Sequence, residues 1–401
     1  MTTTTSRASG NSRADAPPAR GTASPWKDEW PSFGHVAYLN TAAMSAMPRT
    51  SLDAMEVALD AKRFPHHKSD AVWFEVNDRL RQSIATLIGA HAEDVALTTG
   101  ASSGLQAVAL GLTWQPGDEV IVAQGEFPLQ HATWAPMQHR EGVTMKVVVP
   151  QGAFPSADDL IAAMSPRTRV VSASHVRFDD GSLLDAPRVA AACHAHGALF
   201  VLDVTQSCGA VPMDVATLGA DFIVCAGYKW LLSPYGTGFF WAKPGVRDVL
   251  RPAPFYWMGQ DARTFATLNL KDPAPASGAK RWDSAETSSY FNFNLTAMDA
   301  SAAFVCRVGA AAVQAHNRAL IEHLFARLPD GLSPASPPAP EGRGPFGCFV
   351  AATAEATAAL HQHLLRHDVF VSLRDGKIRV SPHLFNTVDD IERLLAVARS
   401  A

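Results

Sequence analysis

The chain is 401 residues long, 47% apolar and 18% charged, with a formal net charge of −4. That length exceeds one comfortable hydrophobic core and implies two domains. The charge argues against nucleic acid or an acidic membrane surface as a partner, and no apolar run approaches the roughly 20 residues of a membrane span. Cys193, Cys208, Cys225, Cys306 and Cys348 are scattered and form no C-x-x-C pair. This argues against a disulfide framework and a metal site, and for buried thiols.

The first 25 residues, rich in Ser, Thr, Ala, Arg and Pro, cannot bury enough apolar surface to order themselves. They lack a secretory h-region. An Arg-bearing, acid-poor start also suits a transit peptide, but Asp15 and poor amphipathicity favour a disordered tail, and a cytoplasmic protein is expected. From about residue 94 to 242, apolar runs alternate with helix-like segments. Strands are predicted at 94–99, 119–123, 144–149, 169–174, 198–203, 221–225 and 238–241. Helices are predicted at 102–112, 130–141, 157–164 and 187–196. Several of these strands are continuous Val/Ile/Phe runs, the pattern of strands buried on both faces of a mostly parallel sheet. The expected fold is therefore α/β, with helices flanking a mostly parallel, seven-stranded type of sheet.

Past about residue 290 an Ala-rich helical stretch covers 295–328, with Gly309 a possible break. A Pro/Gly-rich loop (329–345) follows, then a strand near 347–352, a helix near 355–367, a hairpin over 369–381 and a last helix opening near Thr387. Asp389, Asp390 and Glu392 suit the positive end of that helix. This is a smaller α+β domain over 290–401. No internal repeat is present.

Ligands of open α/β sheets sit beyond the carboxyl ends of the strands, so the residues just after each strand carry the argument. Thr99-Gly100-Ala101-Ser102-Ser103-Gly104 leaves backbone N–H groups free at a helix start, which suits a phosphate. A serine-capped helix explains the same turn, and the chain lacks a P-loop there. Asp203 ends the run Leu199-Phe200-Val201-Leu202. It reads either as a helix cap or as the counter-ion of a protonated ring nitrogen, with Gln206 reaching another polar atom of the same ligand. Lys229 lies in Gly227-Tyr228-Lys229-Trp230, just past a strand. An apolar setting favours the neutral amine that forms imines, although a lone lysine is more often a snorkelling surface residue. Gly236-Thr237-Gly238 follows as a turn that would bring backbone close to a ligand.

The order of phosphate turn, strand-end Asp, then Lys and Gly turn resembles fold-type I enzymes dependent on pyridoxal 5'-phosphate (PLP), in particular the class V aminotransferase (cysteine desulfurase-like) superfamily. The resemblance runs from Tyr38 to Leu395. It opens at Tyr38-Leu39-Asn40-Thr41-Ala42-Ala43, similar to the family's motif at the active-site entrance, which sets Asn40 beside the substrate. It implies a segment 26–39 packing on the small domain and a PLP-binding large domain over 40–289. Lys229 would carry PLP as a Schiff base and later move the substrate's α-proton. Asp203 would keep the pyridine nitrogen protonated, and Gln206 would bond the phenolic oxygen. Ala101 and Ser102 would bind the phosphate, with Tyr228 reaching it through its hydroxyl. Phe127 would stack on the ring. Arg379 would grip the substrate carboxylate. Arg281-Trp282-Asp283 leads toward Thr287, similar to a family segment whose Thr reaches the phosphate in the partner subunit. A homodimer with active sites at the subunit interface, acting on a small amino-group substrate, is implied.

Departures narrow the expectation. Desulfurases carry a cysteine a short way before the carboxylate-binding Arg; here no cysteine lies between Phe349 and Arg379. Persulfide-forming cysteine desulfuration is therefore excluded at this point. Phe178 stands where the family's Asn is usual, and with Phe127 and Tyr228 this leans toward the kynureninase and isopenicillin N epimerase-like branch. A transaminase ranks first, a lyase second and an epimerase third, ahead of a non-catalytic PLP-binding protein. His131, Trp134, His175, Arg177, Tyr256, Trp257, Arg374 and His383 are candidates for facing the substrate side chain. A nicotinamide dehydrogenase would need a G-x-G-x-x-G turn after an early strand, which is absent.

Overall fold

The computed structural model describes residues 25–67, 72–251, 257, 259–262, 265–269, 271–284 and 293–401. The expected disordered tail, Tyr256 and Thr287 lie outside these residues. The chain enters through β1 (Ala37–Tyr38), α1 (Arg49–Arg63) and α2 (Val72–Ile88). It then alternates β2 (Val95–Thr98), α3 (Ala101–Gly111), β3 (Glu119–Ala123), α4 (Pro128–Glu141), β4 (Thr144–Val148), α5 (Ala157–Ala162) and β5 (Thr168–Ser174). α6 (Ala186–Ala195), β6 (Leu199–Asp203), α7 (Val215–Leu218), β7 (Phe222–Ala226) and β8 (Gly238–Ala242) complete this part.

Among the described residues these strands form a seven-stranded sheet of order β2-β8-β7-β6-β5-β3-β4. β3 to β7 pair in parallel, while β8 runs antiparallel to both β7 and β2. The continuous apolar runs are explained by cover on both faces. Leu97, Ile121, Val171, Phe200, Leu202, Ile223 and Phe239 enter one core. Their neighbours Ala96, Val120, Val122, Val170, Val201, Val224 and Phe240 enter the other. Edge strand β4 is the exception and is half exposed.

α8 (Phe293–Val308) and α9 (Ala310–Phe325) meet at a 77° bend. Gly309 stands between them at φ +82°, a backbone region that favours glycine. The expected division at residue 290 falls just before α8, whose Leu295, Met298 and Ala302 enter the first core of the large sheet. From α9 onward the side chains serve another core, with β9 (Leu332–Pro334), β10 (Gly347–Ala351), α10 (Ala354–Arg366), β11 (Val369–Phe370), β12 (Ser372–Arg374), β13 (Lys377–Val380) and α11 (Val388–Arg399). Four of these strands form an antiparallel sheet of order β12-β13-β10-β9. β11 pairs in parallel with β1, tying the N-terminal segment to this half. Thr387 and Asp390 close a reciprocal capping box at the start of α11, which gives the acidic first turn its role.

Candidate active site

The carboxyl ends of β2, β5, β6 and β7 converge on one cavity. Its walls include Gly100, Ala101, Ser102, Phe127, Asp203, Gln206, Tyr228 and Lys229. Residues distant in sequence meet here because each follows a strand of the same parallel sheet.

At one end, α3 begins behind Gly100, whose φ of +153° only glycine adopts readily. The first turn of α3 has N–H groups with no carbonyl behind them, and a Cβ on Gly100 would meet nothing within 4 Å. This is an open, positively polarised cradle. The Gly236-Thr237-Gly238 turn brings Gly236 to the cavity wall, and its last glycine has a second, structural duty. Gly238 lets backbone approach backbone: a Cβ there would stand 2.7 Å from Gly100 Cα and 2.3 Å from the Cys225 carbonyl oxygen. The glycine seats the helix start against β8.

At the centre, Lys229 is 5% exposed. Its Nζ lies 5.2 Å from the Phe127 ring centroid and 5.5 Å from that of Tyr228. Burial pushes its pKa down to about 8, and the Arg379 charge adds to the effect. Asp203 is buried too; one oxygen accepts from Thr205 N at 2.8 Å, and burial raises its pKa. Among the described residues no ion pair joins Lys229 to Asp203. Each group is driven toward its neutral form, as happens when a buried acid and a buried amine both lack their partner. A ligand offering an aldehyde to the amine and a protonated ring nitrogen to the acid satisfies both.

Gln206 lines the cavity, but its amide is already spanned. Nε2 donates to Ala42 O at 3.1 Å and Oε1 accepts from Trp230 Nε1 at 2.9 Å. Its second N–H and one lone pair of Oε1 are left for a ligand, and the side chain is held in orientation from both ends. Phe127 packs edge-on against Phe178, with centroids 5.3 Å apart. Tyr228 stacks on Tyr235 at 4.0 Å, and burial lifts its phenol to about 12, so it acts as a donor.

Arg379 and Asn40 are not among the residues lining the cavity. Arg379 is buried, with Nη1 donating to Phe178 O at 2.6 Å and its guanidinium over the Phe346 ring. It stands one residue behind the wall that Phe178 forms. Asn40 Oδ1 accepts from Ser372 Oγ at 2.6 Å, joining the entrance motif to β12. Asp283 has a structural duty: its carboxylate takes Arg81 Nη1 at 3.0 Å, Arg81 Nη2 at 2.5 Å and Leu97 N at 2.9 Å. Trp282 packs on Phe240, within the core. Of the substrate-facing candidates, Trp134 is core, His175 bonds Ser207, and His383 stacks between Trp230 and Phe385.

Sequence reasoning missed Ser174, Thr205 and Tyr235 on the walls and Glu126 behind them. Glu126, fully buried, accepts from Ser174 N at 2.9 Å and Ser174 Oγ at 2.5 Å, fixing the end of β5 beside Asp203. The signal available was an acid in a Gly-Glu-Phe-Pro turn after a strand.

The aminotransferase class-V family model matches residues 37–394. An isopenicillin N epimerase of Streptomyces clavuligerus is 25% identical over 90% of this chain and 93% of its own length. A probable cysteine desulfurase of Mycobacterium leprae is 27% identical over 90% of both. Among solved structures, a lysine-to-alanine mutant of C-DES with glycine covalently linked to its PLP cofactor superposes with TM-score 0.83 at 22% identity, over 93% of this chain and 99% of that one. C-DES described as a cystine C–S lyase, with its reaction product cysteine persulfide, gives 0.79 at 23%, over 90% and 97%.

These likenesses correct one expectation. Persulfide-forming desulfuration was excluded on the cysteine missing between Phe349 and Arg379, and relatives named cysteine desulfurases that align along most of the chain overturn that exclusion. The assignment to a transferase instead of a desulfurase falls with it. A residue missing from one loop is weaker ground than likeness along the whole chain, because many chemistries share one scaffold. The chain is a member of the aminotransferase class-V family of fold-type I enzymes, and its cofactor is pyridoxal 5'-phosphate.

Proposed function

We propose that this enzyme breaks the Cα–H bond of an amino acid, with Lys229 as the base. The observation that carries the reading is a buried amine, drawn down to about 8, inside the cavity. PLP, when bound, supplies an electron sink for the pair left at Cα. Lys229 holds the cofactor and, once released, accepts the α-proton at Nζ as a neutral amine. Asp203 keeps a proton on the ring nitrogen by offering a buried carboxylate as its acceptor. The N–H groups of Ala101 and Ser102 bind the phosphate, and Phe127 and Phe178 exclude water from one side. Arg379 swings from the Phe178 carbonyl to the α-carboxylate, exchanging a neutral acceptor for a charged one. Epimerisation, elimination and amino transfer all begin with this step.

Purified enzyme should absorb in the visible, bleach with borohydride and lose the band in Lys229→Ala. Incubated with an amino acid in D2O, it should exchange the α-hydrogen, while Lys229→Ala should not. Retention of the α-hydrogen through turnover refutes the reading. Keto-acid, ammonia, sulfide and enantiomer analysis then assigns the outcome. A homodimer belongs to the same proposal: Leu52 and Leu59, seven apart on α1, expose apolar side chains with Met44 and Phe64 nearby in sequence. Sedimentation on dilution tests it, and a fully active monomer refutes it.

A further inference from the structure

In the β12–β13 pair, Ser372 faces Arg379 and Arg374 faces Lys377. Opposed residues of an antiparallel pair project on the same face. Leu373 and Ile378 take the other face, into the C-terminal core. The polar face presses on the segment that walls the cavity: Arg379 donates to Phe178 O at 2.6 Å, and Lys377 Nζ lies 3.6 Å from Asp179.

Charge on this face does not balance. Lys377 also reaches Asp375 at 3.1 Å, while Arg177 takes Asp179 at 3.0 Å and Asp180 at 3.6 Å. The neighbouring acids are therefore engaged. Among the described residues, no carboxylate lies within 4.0 Å of Arg374 or Arg379. Arg374, half-buried, donates through Nη1 to the Leu373 carbonyl at 3.0 Å, and Arg379 Nε is buried without an acceptor. Both charges are felt at Lys229, whose ammonium they destabilise. Arg374 and Arg379 are diagonal neighbours on the strand pair, with Cα atoms about 7–8 Å apart. Two guanidinium groups at that spacing can hold the two acids of a short dicarboxylic chain, and a single α-carboxylate satisfies only one of them.

We propose that the substrate is an amino acid with an anionic side chain, its α-carboxylate on Arg379 and its distal anion on Arg374. This rests on the function proposed above and specifies its substrate class. Charge-assisted pairing with a planar guanidinium supplies the selectivity.

The test titrates holoenzyme with aspartate, glutamate and 2-aminoadipate against asparagine, glutamine and norvaline, following the cofactor's absorption to obtain Kd. The best acidic ligand should bind at least about tenfold more tightly than its neutral counterpart, the low end for a charge-assisted hydrogen bond. Arg374→Gln should bring that ratio close to one, and Arg374→Lys should restore part of it. The preference should weaken as salt rises. A spectral response without acid preference, or a preference that survives Arg374→Gln, overturns this inference and leaves the proposed function standing. No spectral response to any amino acid overturns both.

Discussion

Replacing Gly238 with alanine sets a methyl group 2.3 Å from the Cys225 carbonyl oxygen and 2.7 Å from Gly100 Cα. Ordinary contact begins near 3.4 Å, so the overlap is on the order of 1 Å, and both obstacles are backbone atoms that cannot rotate aside. Cys225 is pinned by its pairing with Phe239 between β7 and β8, so relief must come from β8 or from the Gly100 turn. Overpacking of this kind costs about 1–3 kcal/mol. Near 2 kcal/mol, a domain of this size loses roughly 4–8 °C in Tm. Because the same movement shifts the N–H groups of Ala101 and Ser102, PLP should bind at least about tenfold more weakly. Titration of apoprotein with PLP, followed by absorption and paired with thermal unfolding, reads both effects. Gly100→Ala serves as the contrast: it strains the backbone at φ +153° but meets no atom within 4 Å. A Gly238→Ala protein that binds PLP and melts like the parent refutes the idea that this glycine seats the phosphate turn.

Three further outcomes follow from buried charges. PLP capture by the apoprotein needs neutral Lys229, so its rate should rise about tenfold per pH unit below 8 and level off above about 8; a rate still climbing at pH 10 contradicts the depressed amine. His383 and His175 are held neutral by burial, down to about 3 and about 4, against 6.5 for the free side chain. Below pH 6.5 the unfolded state therefore binds more protons, and stability should fall with acid by up to about 1.4 kcal/mol per pH unit for each. Urea unfolding should show a shallower acid slope in His383→Phe, and an unchanged slope refutes the assignment. Asp283→Ala leaves the Arg81 guanidinium buried with the Val95 carbonyl as its remaining acceptor, and should cost about 3–5 kcal/mol in urea unfolding. A loss under about 1 kcal/mol would show that the pair contributes little.

Six strands of the large sheet were legible because they are sealed on both faces, which writes an unbroken apolar run into the chain, and half-exposed β4 was legible from its Val-rich end. Lys229, Asp203 and the Gly100 turn were legible because a parallel sheet delivers chemistry to strand ends, a position that local sequence marks. α1 and α2 were missed although Val76, Leu80, Ile84 and Ile88 recur at helical spacing in α2, and what the sequence did not show is that both pack on α8, more than two hundred residues later. Pairings across the chain were equally hidden. The Arg379 hydrogen bond to Phe178 O spans 201 residues, and Gln206 is held by Ala42 from 164 residues away. Arg281-Trp282-Asp283 read as a segment leading toward Thr287, and the partners it takes on the way, Arg81 for Asp283 and Phe240 for Trp282, were not legible. The sequence by itself determined the sheet, the helices between its strands and the candidate lysine, because those follow from periodicity and from order along the chain. Only tertiary structure decided which cations remain uncompensated around that lysine, because charge balance depends on neighbours that the linear order does not bring together.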